Sequence, residues 1–333
     1  MISSKKNRAP LNRTITLAEN ERAAYSAQLI RPPFRAGALT DSIVQADLFK
    51  ILPQLPEAFA DLLILDPPYN LHKRFGRETF REMDVDAYER WFESWFVPLL
   101  PTLKNSGSIY VCGDWKSSAA LHRVLHRHVK VRNRITWERE KGRGARHNWK
   151  NASEDIWFCT VSDDYFFDVE AVKLKRRVIA PYKINGAPKG WQESKEGGFR
   201  LTHPSNLWTD LSVPYWSMRE NTDHPTQKPE KLVAKLILAS TRPEEMVFDP
   251  FLGSGTSAAA ATKLNRRFLG IEIDEDFCCL AAKRVELAKK NSAIQGYSGG
   301  VFWERNSLAD QVRQKDLKTK REKLTSKEMT FRF

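Results

Sequence analysis

Four short apolar runs constrain the fold of this 333-residue chain more than any other feature of its sequence. They occupy residues 61–65, 107–112, 246–248 and 267–273. Each run is short for a helix, and an unbroken apolar run of this length is typical of a strand buried on both faces of a parallel sheet. The runs therefore predict a sheet that is covered on both faces.

Helical patterns lie between these runs. Apolar residues recur at three- and four-residue spacing over 88–103, behind an acidic start at Asp84 and Asp86, and predict a helix whose aromatic stripe belongs to the core. Strands that alternate with helices predict an α/β fold with an open, doubly wound, Rossmann-like sheet. Further helices are predicted over residues 228–241, 255–264 and 274–290.

Both ends of the chain are basic. Residues 1–40 contain several prolines and predict an irregular arm, so the first ordered element is expected at 42–47. Residues 292–333 are predicted to form a basic tail with a charged run from Arg313 to Lys327.

An insertion divides the main domain. Residues 162–222 mix basic and aromatic side chains without a clear period, which predicts an insertion on the sheet rather than a second hydrophobic core. The two parts of the main domain are then 41–161 and 223–291.

The charge balance favours a polyanionic partner. The chain has 54 basic and 41 acidic residues, a formal net charge of +13, which is typical of proteins that bind nucleic acid. The four cysteines form no CxxC pair, so no metal site is predicted, and unpaired cysteines fit a reducing cytoplasm. No signal peptide and no membrane span are expected.

The tetrapeptide Asp66-Pro67-Pro68-Tyr69 follows the first apolar run directly. A buried strand that ends there puts a carboxylate at the carboxyl edge of the sheet, where ligands bind in open α/β folds. The Asp66 carboxylate and the Pro67 carbonyl can accept the two N–H bonds of an exocyclic base amine, and Tyr69 can stack on the base. A base would have to leave the helix to reach such a site. The alternative is an ordinary turn.

A second candidate site follows the third run, in the sequence Asp249-Pro250-Phe251-Leu252-Gly253-Ser254-Gly255-Thr256. The glycines Gly253 and Gly255 allow close approach of a ligand to the backbone before a helix. Glu272 ends the next strand and suits the two hydroxyls of a ribose. An adenosine cofactor without a pyrophosphate fits this pattern better than a dinucleotide.

The segment His224-Pro225-Thr226-Gln227-Lys228-Pro229 precedes a predicted helix. Thr226, Gln227 and Lys228 offer a hydroxyl, an amide and a cation that could hold a carboxylate of the cofactor. Taken alone, the segment could equally be a helix cap.

These three motifs, in this order, resemble the amino-group DNA methyltransferases of the permuted, or β, class. The resemblance covers roughly residues 40 to 290. It implies a seven-stranded sheet, S-adenosyl-L-methionine as cofactor and double-stranded DNA as substrate. It also implies a cofactor site lined by Phe251, Gly253, Ser254, Thr256 and Glu272, with Thr226 and Lys228 beside it and Asp47 against the adenine of the cofactor.

The resemblance also assigns roles to the segments. Residues 41–161 would form the catalytic half, residues 223–291 the cofactor-binding half and residues 162–222 the target-recognition segment. The aspartate at position 66 is typical of members that act on adenine N6. A prokaryotic cytoplasm is implied, while a homodimer and a separately acting restriction endonuclease are left open.

Other functions stay open at this point. A cytosine-N4 methyltransferase more often has Ser in place of Asp66, and charge does not separate DNA from RNA. A catalytically inactive binding module would predict erosion of the motifs, which are intact. Cytosine-C5 chemistry needs a cysteine nucleophile, usually after a proline, whereas the residues before the four cysteines are Val111, Phe158, Phe277 and Cys278.

Overall fold

A computed structural model describes residues 9–34, 37, 39–75, 78–139, 147–178, 183–185, 187–194, 197–305 and 307. The α-helices of these residues are α1 (Glu19–Ser26), α2 (Leu48–Ile51), α3 (Val85–Leu99), α4 (Ser118–His128), α5 (Glu230–Ser240), α6 (Thr256–Lys263) and α7 (Glu275–Lys290). Asp84 caps α3 by accepting a hydrogen bond from the Ala87 N–H at 2.7 Å, as its acidic start predicts.

The strands of the described residues are β1 (Ser42–Gln45), β2 (Ala60–Leu65), β3 (Lys73–Phe75), β4 (Glu78–Phe80), β5 (Leu103–Gly113), β6 (Lys130–Glu138), β7 (Ser153–Thr160), β8 (Leu174–Arg177), β9 (Lys183–Ile184), β10 (Ala187–Pro188), β11 (Gln192–Ser194), β12 (Gly197–Thr202), β13 (Leu207–Trp208), β14 (Met246–Asp249), β15 (Arg267–Glu272), β16 (Tyr297–Ser298) and β17 (Val301–Trp303). The four predicted runs all lie in strands of one sheet, namely β2, β5, β14 and β15.

The central sheet has the order β1-β15-β14-β2-β5-β7-β6-β13. Its first five strands are mutually parallel, and β7 runs antiparallel to both of its neighbours, β5 and β6. The first residues of β7 therefore lie at the edge where the parallel strands end.

Both faces of the central sheet are buried. Leu62 and Ile64 of β2 pack into a cluster that α1, α5, α6 and α7 share, whereas Leu63 and Leu65 pack into a second cluster with α2, α3 and α4. Since side chains alternate between the two faces of a strand, helices cover the sheet on both sides. The predicted doubly wound α/β fold is confirmed.

The sheet has eight described strands, and the implied number of seven was wrong. The additional strand is β13, which pairs in parallel with β6 through Leu207 opposite Thr136 and Trp208 opposite Trp137. Burial of Trp208, which is only 6% exposed, holds this two-residue strand in place.

A second sheet corrects the interpretation of the insertion. Its order is β11-β12-β8-β17-β16, so three strands come from the insertion and two from residues after α7. Val172, Leu174 and Phe302 pack with α5 to form a third hydrophobic cluster. The prediction of no second core was therefore wrong, because a partner strand distant in sequence completes this sheet.

The ends of the chain are more ordered than the sequence suggests. Helix α1 precedes the element that was expected first, and its buried Tyr25 donates a hydrogen bond to Glu286 of α7 at 2.8 Å. Strands β16 and β17 belong to the part assigned to a basic tail, while the charged run from Arg313 to Lys327 lies outside the described residues.

None of the helices in the described segments has the length and apolar character that crossing a membrane requires.

Candidate active site

Acidic residues stand at the carboxyl ends of four adjacent parallel strands. In the order of the strands they are Asp47 just after β1, Glu272 of β15, Asp249 of β14 and Asp66 just after β2. Because parallel strands end at one edge, the sheet gathers side chains that are widely spaced in sequence into one row.

The loop that follows β2 is fixed by side chains of its neighbours. The Pro68 carbonyl accepts a hydrogen bond from the Tyr88 hydroxyl of α3 at 3.1 Å. Asn70 is buried, and its amide donates to the Met83 carbonyl at 2.7 Å and accepts from the Met83 N–H at 2.9 Å. The Asn70 N–H donates to Ser117 at 3.3 Å. The loop that contains Asp66 is thus held at several points.

Lys228 connects the segment 224–229 with the tetrapeptide at residues 66–69. Its ammonium donates to both carboxylate oxygens of Asp66 at 2.7 Å and to the Tyr69 hydroxyl at 3.0 Å. The ammonium also lies 5.2 Å from the centre of the Tyr69 ring. Lys228, which was predicted to bind the cofactor, therefore contacts the proposed base-binding residues directly in this structure.

The charge state of this cluster follows from its surroundings. Burial alone would lower the pKa of the Lys228 ammonium, but the carboxylates of Asp66 and Glu154 outweigh it and raise that pKa above its usual range. Burial, followed by the charges of Asp66 and Glu154, raises the pKa of the Tyr69 hydroxyl well above its usual value. Lys228 is therefore charged and Tyr69 protonated at neutral pH.

The glycine loop between β14 and α6 has the conformation that its sequence predicts. Gly253 and Gly255 have φ of 53° and 82°, in the left-handed region that favours glycine. The Gly253 N–H donates to the Glu272 carboxylate at 2.9 Å. Arg284 of α7 is buried and donates to the Ser254 carbonyl and to the Thr256 hydroxyl, both at 3.0 Å, which fixes the far side of the loop.

Asp249 is buried at the base of this loop. It accepts a hydrogen bond from the Phe251 N–H at 3.0 Å and a short one from the Ser257 hydroxyl. Burial raises the pKa of the Asp249 carboxyl to about 7, although the Ser257 hydrogen bond works in the opposite direction. Burial also raises the pKa of Glu272. Burial disfavours the charged forms of these two carboxyl groups, and a positively charged ligand would stabilise those forms.

One cavity brings most of the predicted residues together. Those that line it are Asp66, Thr226, Gln227, Lys228, Asp249, Phe251, Gly253, Ser254 and Thr256. The predicted residues that are not among its lining are Asp47, Pro67, Pro68, Tyr69, Gly255 and Glu272. The tetrapeptide at residues 66–69 and the glycine loop thus share one cavity, with Asp66, Lys228 and Asp249 among its lining.

Two predicted cofactor ligands have other contacts in the structure. The Gln227 amide donates to the Glu220 carbonyl at 2.7 Å and accepts from the N–H and hydroxyl of Thr222, so it closes its own loop. The Asp47 carboxylate caps α2 by accepting from the Phe49 N–H at 3.1 Å. Both contacts are local and are compatible with a structural role.

Sequence reasoning missed Glu154 and Arg284. Glu154 stands at the start of an antiparallel strand, whereas the acids predicted from the sequence all follow apolar runs. Arg284 is a charged residue within α7, and the residues next to it in the sequence do not indicate that its side chain is buried. The detectable indication for Glu154 is its place just before the apolar residues Ile156 and Trp157.

Two solved structures share this fold. PvuII DNA methyltransferase, titled cytosine-N4-specific, has a TM-score of 0.55 at 18% identity, over 75% of this chain and 90% of that one. The M1.HpyAVI–SAM complex has a TM-score of 0.50 at 22% identity, over 73% of this chain and 98% of that one. The likeness shows the structural class of this chain, an open Rossmann-like α/β sheet.

Sequence similarity defines the family within that class. Residues 60–283 match the DNA methylase family, and the chain belongs to it, which makes the protein a DNA methyltransferase. DNA adenine methyltransferase YhdJ of Escherichia coli K12 is 30% identical over 271 residues, 78% of this chain and 88% of that protein. Type II methyltransferase M.HpaI of Haemophilus parainfluenzae is 29% identical over 247 residues, 73% and 74% of the two chains. Type II methyltransferase M.BglII of Bacillus subtilis is 29% identical over 251 residues, 72% and 68%.

Proposed function

We propose that this protein transfers a methyl group from S-adenosylmethionine to N6 of an adenine in double-stranded DNA. The observation on which the proposal rests is the position of Asp66 at the end of β2, beside the glycine loop that follows β14, because β2 and β14 are paired in the sheet. A base amine at Asp66 and a cofactor at the loop would occupy neighbouring strand ends.

The residues at this edge fit the cofactor. S-Adenosylmethionine has a sulfonium and an ammonium. Asp249 is buried and Glu272 half-buried, and desolvation raises the pKa of both carboxyl groups. A bound cation stabilises their charged forms. A Cβ on Gly253 would lie 3.1 Å from the His224 ring, so only glycine fits the loop without displacing that ring.

The residues around Asp66 suit transfer to a base amine. S-Adenosylmethionine supplies a methyl group on a sulfonium sulfur, which leaves with the electron pair of the broken bond. The Asp66 carboxylate and the Pro67 carbonyl accept the N–H bonds of the amine and favour a pyramidal nitrogen with a localised lone pair. Asp66 can then take up the proton that the alkylated nitrogen loses. Because a carboxylate has about four lone-pair positions, the contact with Lys228 leaves room for the base.

Two considerations favour adenine over cytosine. Asp66, in the motif Asp66-Pro67-Pro68-Tyr69, is typical of family members that act on adenine. The E. coli relative YhdJ is named a DNA adenine methyltransferase. The amine of cytosine presents the same two donors to Asp66, so the test below distinguishes the two bases.

The test is a product analysis. The purified protein is incubated with plasmid DNA and cofactor labelled on the methyl group, and the DNA is digested to nucleosides and separated by chromatography. We expect the label in N6-methyldeoxyadenosine. Label in N4-methyldeoxycytidine would show that the target base is cytosine and not adenine. Label in neither nucleoside would contradict the proposal. A parallel sample with RNA checks the choice of nucleic acid.

Glu272→Gln is expected to weaken cofactor binding about tenfold. Both oxygens of Glu272 accept backbone N–H bonds, from Gly253 and from Asp274, each at 2.9 Å, so a glutamine would turn its NH2 group toward one of these donors. Isothermal titration calorimetry with S-adenosylmethionine measures the change. Glu286→Gln is the control, because Glu286 is a half-buried carboxylate of α7 that does not line the cavity. Unchanged affinity in Glu272→Gln would exclude this role.

The setting of the reaction is part of the proposal. We infer that the protein acts in a prokaryotic cytoplasm, and that residues 162–222 recognise the target sequence. The relatives M.HpaI and M.BglII are named type II methyltransferases, which supports a place in a restriction-modification system. A homodimer, a separately acting endonuclease and the permuted class remain predictions.

A further inference from the structure

Glu154 stands at the carboxyl edge of the parallel strands although it belongs to β7. Because β7 is antiparallel to β5, its second residue lies where β5 ends, and Gly113 of β5 pairs with Asp155 of β7. Glu154 is only 5% exposed. A carboxylate buried to this degree needs partners at both oxygens to offset its loss of hydration.

Glu154 has these partners, and they are residues of the proposed active site. One oxygen accepts the Tyr69 hydroxyl at 3.2 Å and lies 3.4 Å from the Lys228 ammonium. The other oxygen pairs with Arg139 of the segment that follows β6. The Arg139 N–H in turn donates to the Ala152 carbonyl at 2.6 Å, which ties this arginine to the start of β7.

We propose that Glu154 is a positioning residue for methyl transfer, which holds the Tyr69 ring and the Lys228 ammonium in the places from which they orient the base and Asp66. The inference rests on the proposed function, since it assigns a role within the same site. The Tyr69 ring packs partly buried against the core on a loop after two prolines, and its hydroxyl is the end that Glu154 contacts. A ring anchored at its far end can stack on a base in one orientation only.

The charges of the cluster support this role. Asp66 and Glu154 are acidic, and Lys228 and Arg139 are basic, so the formal charges of the four side chains sum to zero. Methyl transfer moves positive charge onto the base nitrogen. Loss of the Glu154 charge would leave the cluster with an excess positive charge close to that nitrogen, which opposes the reaction.

Glu154→Gln tests the proposal with almost no change in size. The two oxygens of Glu154 face cations that cannot accept a hydrogen bond, Arg139 at one oxygen and Lys228, 3.4 Å away beside the Tyr69 hydroxyl, at the other. A glutamine must direct its NH2 group at one of them. We expect kcat for adenine methylation to fall about 10- to 100-fold, while KM for DNA and the Kd of S-adenosylmethionine change less than about threefold.

The neighbouring carboxylate offers a matched control. Asp155 points to the other face of β7 and accepts from the hydroxyls of Ser118 at 2.8 Å and Thr136 at 3.0 Å. Arg134 also lies 3.7 Å from Asp155, but its side chain is 54% exposed and can turn to water. Hydroxyls can reverse and accept from an amide, so Asp155→Asn can satisfy both hydroxyl partners. We expect its kcat to stay within about threefold of the wild type.

A double-mutant cycle with Tyr69→Phe separates positioning from a general effect on stability. Tyr69→Phe keeps the ring and removes the hydroxyl that Glu154 holds. The double variant is expected to lose less activity than the product of the two single losses, because both changes break one contact. The melting temperature of each variant is measured alongside.

The outcomes are distinct. A fall in kcat that is specific to Glu154→Gln and not additive with Tyr69→Phe supports the proposal. Wild-type kcat in folded Glu154→Gln, or fully additive losses, would overturn it while the wild type still methylates adenine. A wild type that forms no methylated base would overturn the proposed function and this inference together. If Glu154→Gln does not fold, Tyr69→Phe decides, since wild-type kcat in that variant excludes the anchoring contact.

Discussion

Asp66→Ala is expected to lower the rate of methyl transfer by at least about 100-fold, because it removes the carboxylate that we propose accepts the base amine and takes its proton. The glycine loop, where we propose the cofactor binds, is held by β14, α6 and Glu272 and not by the Asp66 side chain, so we expect S-adenosylmethionine to bind with nearly wild-type affinity. Single-turnover assays with labelled cofactor and calorimetry measure the two quantities separately.

The control for this prediction lies on the same strand. Asp61, at the other end of β2, is also paired with a lysine, since Lys104 donates to both of its oxygens at 2.7 and 2.8 Å. Asp61→Asn should weaken that ion pair without slowing methyl transfer. Equal activities of Asp66→Ala and the wild type would contradict the mechanism. Comparable losses in both variants would indicate that damage to β2, and not the chemistry at Asp66, is responsible.

Gly255→Ala is expected to destabilise the protein by about 3 kcal/mol and to abolish measurable cofactor binding. A Cβ at this position would lie 2.5 Å from the Ala281 Cβ and 2.7 Å from the Ala281 Cα of α7. Because backbone cannot move aside as a flexible side chain can, α6 would have to separate from α7 and take the glycine loop with it. Urea-induced unfolding and calorimetry check the two effects.

Gly299→Ala separates the clash from the backbone conformation. Gly299 also has positive φ, 63°, but no heavy atom lies within 4 Å of its added Cβ. This variant should cost only about 1 to 2 kcal/mol, the expense of a left-handed conformation in a residue with a side chain. Equal losses of stability in Gly255→Ala and Gly299→Ala would show that the contact with Ala281 does not contribute to the destabilisation.

The sequence predicts the fold and one row of the site because both follow local patterns. A strand buried on both faces is apolar without interruption, so β2, β5, β14 and β15 are visible along the chain. Parallel strands end at one edge, so the sequence alone predicts that Asp66, Asp249 and Glu272 lie along the same edge.

The parts that sequence reasoning missed depend on pairing between distant segments. Strands of two to six residues in the insertion have no measurable period, and they are completed by β17, more than a hundred residues after β8. Glu154 reaches the site because β7 reverses direction, which no local pattern reveals. Lys228 was recognised as a site residue, but its contact with Asp66 arises only when two motifs about 160 residues apart meet.

The pairing of β17 with β8 has a practical consequence for exchanging the proposed target-recognition segment between relatives. Phe302 stands opposite Leu174 and Trp303 opposite Lys175, and the carbonyl of buried Trp303 accepts from Lys231 of α5. A graft of residues 162–222 alone would therefore leave an unpaired strand edge and an unfilled space on the recipient. A chimera that is to fold should transplant residues 297–303 as well, so the exchangeable unit is discontinuous in the gene.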